Sequence, residues 1–403
     1  MKISYNLKQN ISSEPYEIVE RKGLGHPDTL ADGLAESISI EYSKFTRQEF
    51  GAILHHNIDK LGVGGGLWER DFGQGNMIRP VEVMLGGRMS SSFNGRSIDY
   101  KDIQQQTTRA YLKKVLPHLD VEKGIKFNHK TSDHSMSPTW YKPRSLEDLP
   151  DFKAQWANDT STVIDHYPNT DTENITQKLE NFFYSDEYKP KYNFIGQDIK
   201  VMSVRNGKKI DITICVPTIS TQVKSIHDYK EIKKQLEVDL MDFAKSILGD
   251  EYEICLYINT QDNNPIRPTT YLTATGSCIE FGEEGYVGRG NKANGLISIC
   301  RPSSMEAPFG KNPVYHTGRV HSYYASQLAR KVYQKFETPI TAIIQTNNGD
   351  PLFSPSNIVF LADKIEDFKD GEKYLDDIVE NLFATKKHID AILEGYLLPK
   401  SWV

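Results

Sequence analysis

Apolar positions recur at helical spacing in three long segments, and each gives way through a Gly, Pro or charged break to a short extended run. The first is SIDYKDIQQQTTRAYLKKVL leading to GIKFNHKTSD. The second is SIHDYKEIKKQLEVDLMDFAKSILG leading to YEICLYINTQDN, and the third RVHSYYASQLARKVYQKF leading to PITAIIQTNNGD. Pro117 stops the first helix, Gly249 caps the second, and Pro339 lies just beyond the third. Their starts near residues 97, 225 and 319 predict one unit used three times, although sequence identity between the copies is negligible.

Strands are expected between these helices. AILHHNI and PVEVMLGGRMS predict a strand pair before the first helix. DIKVMSVR and KKIDITICV flank Asn206-Gly207 and predict a hairpin before the second, because Asn-Gly suits the positive φ of a type I′ turn. Strands and helices mixed in each unit give an α+β fold class, with helices covering one face of mostly antiparallel sheets. The expected division is 1–120, 121–260 and 261–403, with approximate boundaries and units interleaved along the chain. Residues 121–197 are the least regular stretch, rich in Asp, Asn, Ser, Thr, Pro and aromatics, a pattern that predicts functional loop.

At 403 residues the chain exceeds what one core fills, roughly 250–300 residues, so two or three domains are expected. With 38% hydrophobic and 25% charged residues it reads as a soluble globular protein. The net charge of −6 gives no overall pull toward nucleic acid or anionic membrane, so a phosphate site must rest on local lysines and arginines. Cys215, Cys255, Cys278 and Cys300 form no C-x-x-C pair, which excludes a zinc ribbon or redox motif. No apolar run has signal-peptide or membrane-span length, and cytoplasmic residence is expected.

Candidate chemistry starts at ERKGLGHPDTLADGLAES, residues 20–37. From Pro27 onward this predicts a helix with Leu30, Leu34, Ile38, Tyr42 and Phe45 on one side and Asp28, Asp32 and Glu36 on the other. Asp32 and Glu36 read as a solvated face. His26 and Asp28 stand at the helix entrance behind Gly23 and Gly25, which let the backbone turn tightly and approach a ligand. A helix N-terminus attracts phosphate, and a carboxylate placed there accepts it only with a divalent cation between them.

Elsewhere, glycines recur beside Arg289, Lys292, Arg301, Lys311 and Arg319 in a composition suited to surrounding an anion, without a Walker A motif. Asp198 and Lys200, two apart on a predicted strand, share a face. His55 and His56 point to opposite faces of a strand and so read as hydrogen-bonded core residues, not a metal pair. KSIHDYKEIKK reads as a solvated helix surface.

The pieces ERKGLGHPDTLADGLAE, LHHNIDK, IRPVEVMLGGR, ANDTS, GQDIKVM, GSCIEFGEEGYVGRGNKANGLIS and RPSSMEAPFGKNPVYHTG, in order over roughly residues 17 to 320, resemble S-adenosylmethionine synthetases of the archaeal-type branch. The resemblance implies three similar α+β units with pseudo-threefold symmetry. It also implies a homodimer with active sites between subunits, magnesium, often potassium, and ATP and L-methionine as substrates. By motif matching, Asp28 looks like a magnesium ligand, and His26 like the donor to the oxygen that leaves C5′. Lys200 and Lys311 look like polyphosphate contacts, with Arg289 serving the transferred end. Asp159, Asp198, Glu283 and Lys60 look like substrate contacts, and the carboxylates suit a sulfonium product.

Two loops depart from the family pattern: TVIDHYP stands after ANDTS where FGVGYAP is usual, and HKTSDHSMSPTWY does not resemble the R-x-G-x-GS run. GHPDTL also replaces the commoner GHPDS. Two other readings stay open, a phosphohydrolase acting on tripolyphosphate or nucleotide and a non-catalytic nucleotide-binding homologue. Retention of His26, Asp28, Lys200, Arg289 and Lys311 argues against the second.

Overall fold

In a computed structural model, the chain is described over residues 1–7, 10–149, 155–263, 265–266, 269–363 and 372–399. Seven helices lie among them: α1 (Pro27–Phe50), α2 (Tyr100–Val115), α3 (Asp171–Asn181), α4 (Ile226–Leu248), α5 (Thr317–Phe336), α6 (Glu372–Ala384) and α7 (His388–Leu393). No described helix is long and apolar enough to cross a membrane.

Three sheets carry the core. The first joins Ile125–His129, Val81–Leu85, Gly62–Gly64 and Glu284–Tyr286. The second joins Glu253–Ile258, Lys209–Cys215, Lys200–Asn206, Tyr16–Lys22 and Ile297–Ser298. The third joins Lys2–Leu7, Asn357–Ala362, Ile340–Thr346 and Ser161–Tyr167. In each sheet the first pair is parallel and the remaining pairs are antiparallel.

One order of pieces recurs: a leading strand, a helix, an antiparallel strand pair, a second helix, and an edge strand parallel to the pair's second member. The third set takes its edge strand, Lys2–Leu7, from the start of the chain. Each leading strand joins another set's sheet: Tyr16–Lys22 pairs with Lys200–Asn206, Ser161–Tyr167 with Ile340–Thr346, and Glu284–Tyr286 with Gly62–Gly64. The helices expected near 97 and 225 are the second helices of their sets. The one near 319, α5, is the first of its set, and α6 is the counterpart of α2 and α4. Helical periodicity followed by a strand looks the same in both positions, so the sequence pattern aligned unlike helices.

Each sheet is backed by helices. In Lys209–Cys215, Ile210, Ile212 and Ile214 are buried while the alternate positions are half-buried, as period-two burial requires. Those isoleucines pack with Leu179 of α3 and Leu236 and Leu240 of α4. Leu30, Leu34 and Ile38 of α1 and Leu112 of α2 cover Val81, Val83 and Leu85, whereas Phe45 is exposed.

Several local expectations change. The hairpin forms, but Asn206 pairs with Lys209, so the loop is Gly207-Lys208, with Gly207 at φ +59° in the first loop position. AILHHNI and PVEVMLGGRMS pair as strands only at His56–Asn57 and Arg88–Met89, and Val81–Leu85 pairs instead with Gly62–Gly64 and Ile125–His129. The irregular stretch 121–197 contributes Ile125–His129, Ser161–Tyr167 and α3, and residues 150–154 lie outside the described residues.

His55 and His56 are buried, as expected. His56 bonds Ser39 and Leu54 O, and His55 bonds the Tyr315 hydroxyl. Burial pushes His55, His321 and His388 down to about 4 and His56 to about 3, from an ordinary 6.5. At these four sites the unfolded chain therefore binds protons that the folded chain refuses, so their contribution to stability is full above about pH 6.5 and declines as pH falls toward 4. Melting midpoints should drop steadily between pH 7 and 4.5; a flat profile would contradict neutral buried histidines.

Candidate active site

The turn before α1 assembles the site. The Gly23 N–H donates to Ile199 O at 2.6 Å and the Gly25 N–H to Gln197 O at 2.8 Å. A Cβ on Gly23 would lie 2.4 Å from Ile199 O, and one on Gly25 would lie 2.6 Å from Gln197 C. These glycines thus permit close main-chain contact with residues 197–199, and that contact brings Asp198 and Lys200 beside the head of α1.

His26 caps α1: its Nδ1 accepts the Asp28 N–H at 3.2 Å, and Pro27 fills the first helical position. An accepting Nδ1 leaves the ring proton on Nε2, the tautomer that donates outward. Burial lowers the His26 pKa; Asp198 and Asp28 raise it, and Lys22 and Lys200 lower it. All four groups therefore lie in the field of this one imidazole.

Asp28 is buried. Its Oδ2 sits 2.8 Å from Lys22 Nζ, and its Oδ1 accepts the Tyr286 N–H at 3.2 Å. Lys22 Nζ also donates to Arg289 O at 2.7 Å, while the Asn291 side chain pairs with both the N–H and the C=O of Lys22. The strand register sets Lys22 directly opposite Lys200. Like charges facing across a ladder cost stability, so the pair is a feature suited to an anion. Glu20 holds Lys200 Nζ at 3.0 Å.

Asp198 is buried and accepts the Cys278 N–H at 2.9 Å and the Tyr271 hydroxyl at 3.0 Å. The Arg289 and Glu283 side chains are exposed. The Glu283 carboxylate lies in the field of Cys278, next to Asp198.

Lys311, Lys60 and Asp159 form a second group. Lys311 is buried against Glu306, and its carbonyl accepts from Ser39 and Arg319. His316, at the start of α5, has its pKa pushed well down by burial and then by Lys311, Arg319 and Lys60. Among the described residues, its Nδ1 and the Thr317 Oγ1 are buried without hydrogen-bond partners. Asn158 accepts the Thr317 N–H at 3.0 Å, which brings adjacent Asp159 to the same helix end. Helix α1 links the two groups: Asp28 and Ser39 are eleven residues apart, about 16 Å along its axis.

Asp32 and Glu36 are not a wet face. Both are buried; Asp32 accepts the Gly288 N–H at 2.8 Å, and Glu36 pairs with Arg319 at 2.6 Å and accepts the Gly310 N–H at 3.1 Å. A helical wheel separates acids from leucines but cannot show loops from residues 286–290 and 310 packing on the acidic side. Lys22 was also missed, although it lies in the opening motif, because its partner Lys200 is distant in sequence.

Of the two departing stretches, TVIDHYP is not a loop but mostly the edge strand Ser161–Tyr167, which packs in, whereas residues 134–138 of the other are exposed. In TVIDHYP, His166 is 3.3 Å from Glu173, which Arg301 also holds. Trp140 stacks on His55 with ring centroids 4.1 Å apart. Among the described residues no cluster of three His, Cys, Asp or Glu is arranged to hold a metal. Magnesium that takes most of its ligands from water and phosphate needs only one or two carboxylates, and the donor set at Asp28 fits that case.

Helix-backed sheets of mixed α and β structure thus gather cations and a histidine at a helix N-terminus, a grouping suited to an anion. A sequence model of S-adenosylmethionine synthetase (AdoMet synthetase) matches residues 1–395. An uncharacterised protein of Streptococcus pyogenes serotype M3 is 39% identical over 393 residues, covering 96% of this chain and 95% of its own. S-adenosylmethionine synthases of Methanococcus aeolicus and Methanocaldococcus jannaschii are 36% and 37% identical, covering 92% of this chain and 92% and 94% of theirs. The chain belongs to the S-adenosylmethionine synthetase family, and its enzyme class is methionine adenosyltransferase.

Proposed function

We propose that the methionine sulfur attacks C5′ of ATP, forming S-adenosylmethionine and releasing tripolyphosphate, which is then hydrolysed to phosphate and pyrophosphate. The observation that carries this reading is the convergence of His26, Lys22, Lys200, Asp28 and Asp198 at the head of α1. A thioether is nucleophilic without losing a proton, so a general base is unnecessary. The difficulty lies in a leaving group of about four negative charges, which needs preorganised cations and donors.

In this reading His26 Nε2–H donates to the oxygen leaving C5′. Lys22 and Lys200 hold the polyphosphate near it, Lys311 and Lys60 its far end, and Arg289 the transferred end. Asp198, Glu283 and Asp159 face the nucleoside and the sulfonium. Asp28 would hold magnesium, which supplies charge neutralisation for the leaving chain; potassium is a further expected ion. A cytoplasmic homodimer with shared sites belongs to the same reading. The exposed Met202 and Tyr257, on the face of the second sheet turned away from α3 and α4, support a partner there.

The test is incubation with ATP, magnesium and methionine, followed by assay for S-adenosylmethionine, phosphate and pyrophosphate. Phosphate release indifferent to methionine would favour a phosphohydrolase instead. Lys200→Ala should lower turnover roughly 10²-fold. Its half-exposed pair with Glu20 is worth only about 0–1 kcal/mol of stability. Unchanged turnover would remove Lys200 from the polyphosphate site.

A further inference from the structure

The chemistry above leaves Asp32 unused, yet this residue grips the loop that carries Arg289. Its Oδ1 accepts the Gly288 N–H at 2.8 Å, and the Gly290 N–H bonds to the same carboxyl. Between those two amides stands Arg289, whose carbonyl receives the Lys22 ammonium at 2.7 Å. One turn earlier, Asp28 holds the Tyr286 N–H. Two successive acids of α1 therefore hold the amides of residues 286, 288 and 290.

The contact is steric as well as polar. A Cβ on Gly290 would lie 2.2 Å from Asp32 Oδ2, and one on Gly285 would lie 2.0 Å from Pro27 C. Glycines at both positions let the loop lie directly on the helix head.

We infer that Asp32 is a positioning residue, fixing where loop 286–290 crosses α1 and hence where the Arg289 guanidinium meets the polyphosphate held by Lys22 and His26. The inference rests on the proposed reaction. A rigid helix holding two loop amides is suited to the task, since misplacing a reacting group by about 1 Å can cost about 10²-fold in rate.

The test compares kcat and KM for wild type, Asp32→Asn, Arg289→Ala and the double variant. Asparagine keeps the size but turns an NH2 toward one loop amide, which cannot accept it. Asp32→Asn should lower kcat roughly 10- to 100-fold, yet cost less than about twofold when Arg289 is already alanine. A role in folding alone would give the same loss in both backgrounds. If Asp32→Asn does not fold, Gly290→Ala displaces the loop from the other side and should show the same dependence on Arg289. A wild type without S-adenosylmethionine synthesis removes the reaction reading and this inference with it. An active wild type whose kcat is unchanged by these variants, or falls equally with and without Arg289, overturns the inference alone.

Discussion

Replacing His26 with alanine is expected to lower kcat for S-adenosylmethionine formation by roughly 10²–10³-fold, the usual cost of removing a preorganised donor to developing negative charge. The geometry behind this is the cap: Nδ1 is committed to the Asp28 N–H, so the ring proton resides on Nε2. Burial, aided by Lys22 and Lys200, outweighs the nearby Asp198 and Asp28 and resists protonation of the ring, so the imidazole keeps this tautomer. Loss of the cap adds a separate cost of about 0.5–2 kcal/mol in stability. His26→Asn separates the two effects, because asparagine caps a helix well but does not reach as far. Its melting midpoint should stay near wild type while kcat stays as low as in the alanine variant. Recovery of rate by asparagine would show that His26 acts only as a cap.

Glu36→Ala should reduce folding stability by roughly 3–5 kcal/mol, measured by urea denaturation. Both Glu36 and Arg319 have side chains at 0% exposure and meet at 2.6 Å. Removing the carboxylate strands a guanidinium inside the protein and releases the Gly310 N–H. Against a total stability of about 5–15 kcal/mol, that loss is large. Replacing both partners with apolar residues should restore part of it, because no buried charge is left unpaired. A loss below about 1 kcal/mol in Glu36→Ala would show that water reaches the pair.

Much of the fold is legible in local pattern. The helices at 100–115, 226–248 and 317–336, their stops and the following strands obey rules that act within a few residues. The hairpin was legible too, but its register was not, because a turn at 206–207 and one at 207–208 differ only in how the strands pair beyond it. The threefold order of pieces was visible in outline. Its alignment was not, because leading strands join other sets' sheets and Lys2–Leu7 closes the last one.

His26 and Asp28 could be singled out from the chain because their signal is local: glycines, a histidine, a proline and an acid at the start of an amphipathic helix. Asp32 and Glu36 carried the same local signal as any solvated face and proved buried. Lys22 carried none, and became a candidate only when the register placed it opposite Lys200.

The sequence by itself determined four of the seven described helices, α1, α2, α4 and α5, the stops of the last three, the alternating core strands and the motif that marks the family, all of which depend on residue type and short spacing. Only the tertiary structure decided which strand joins which sheet, which lysines face each other, and that the acidic side of α1 holds glycine loops more than 250 residues away. The physical reason is range: side-chain periodicity is set by the local backbone, whereas the burial and pairing of a charge depend on chain segments that meet only in the folded protein.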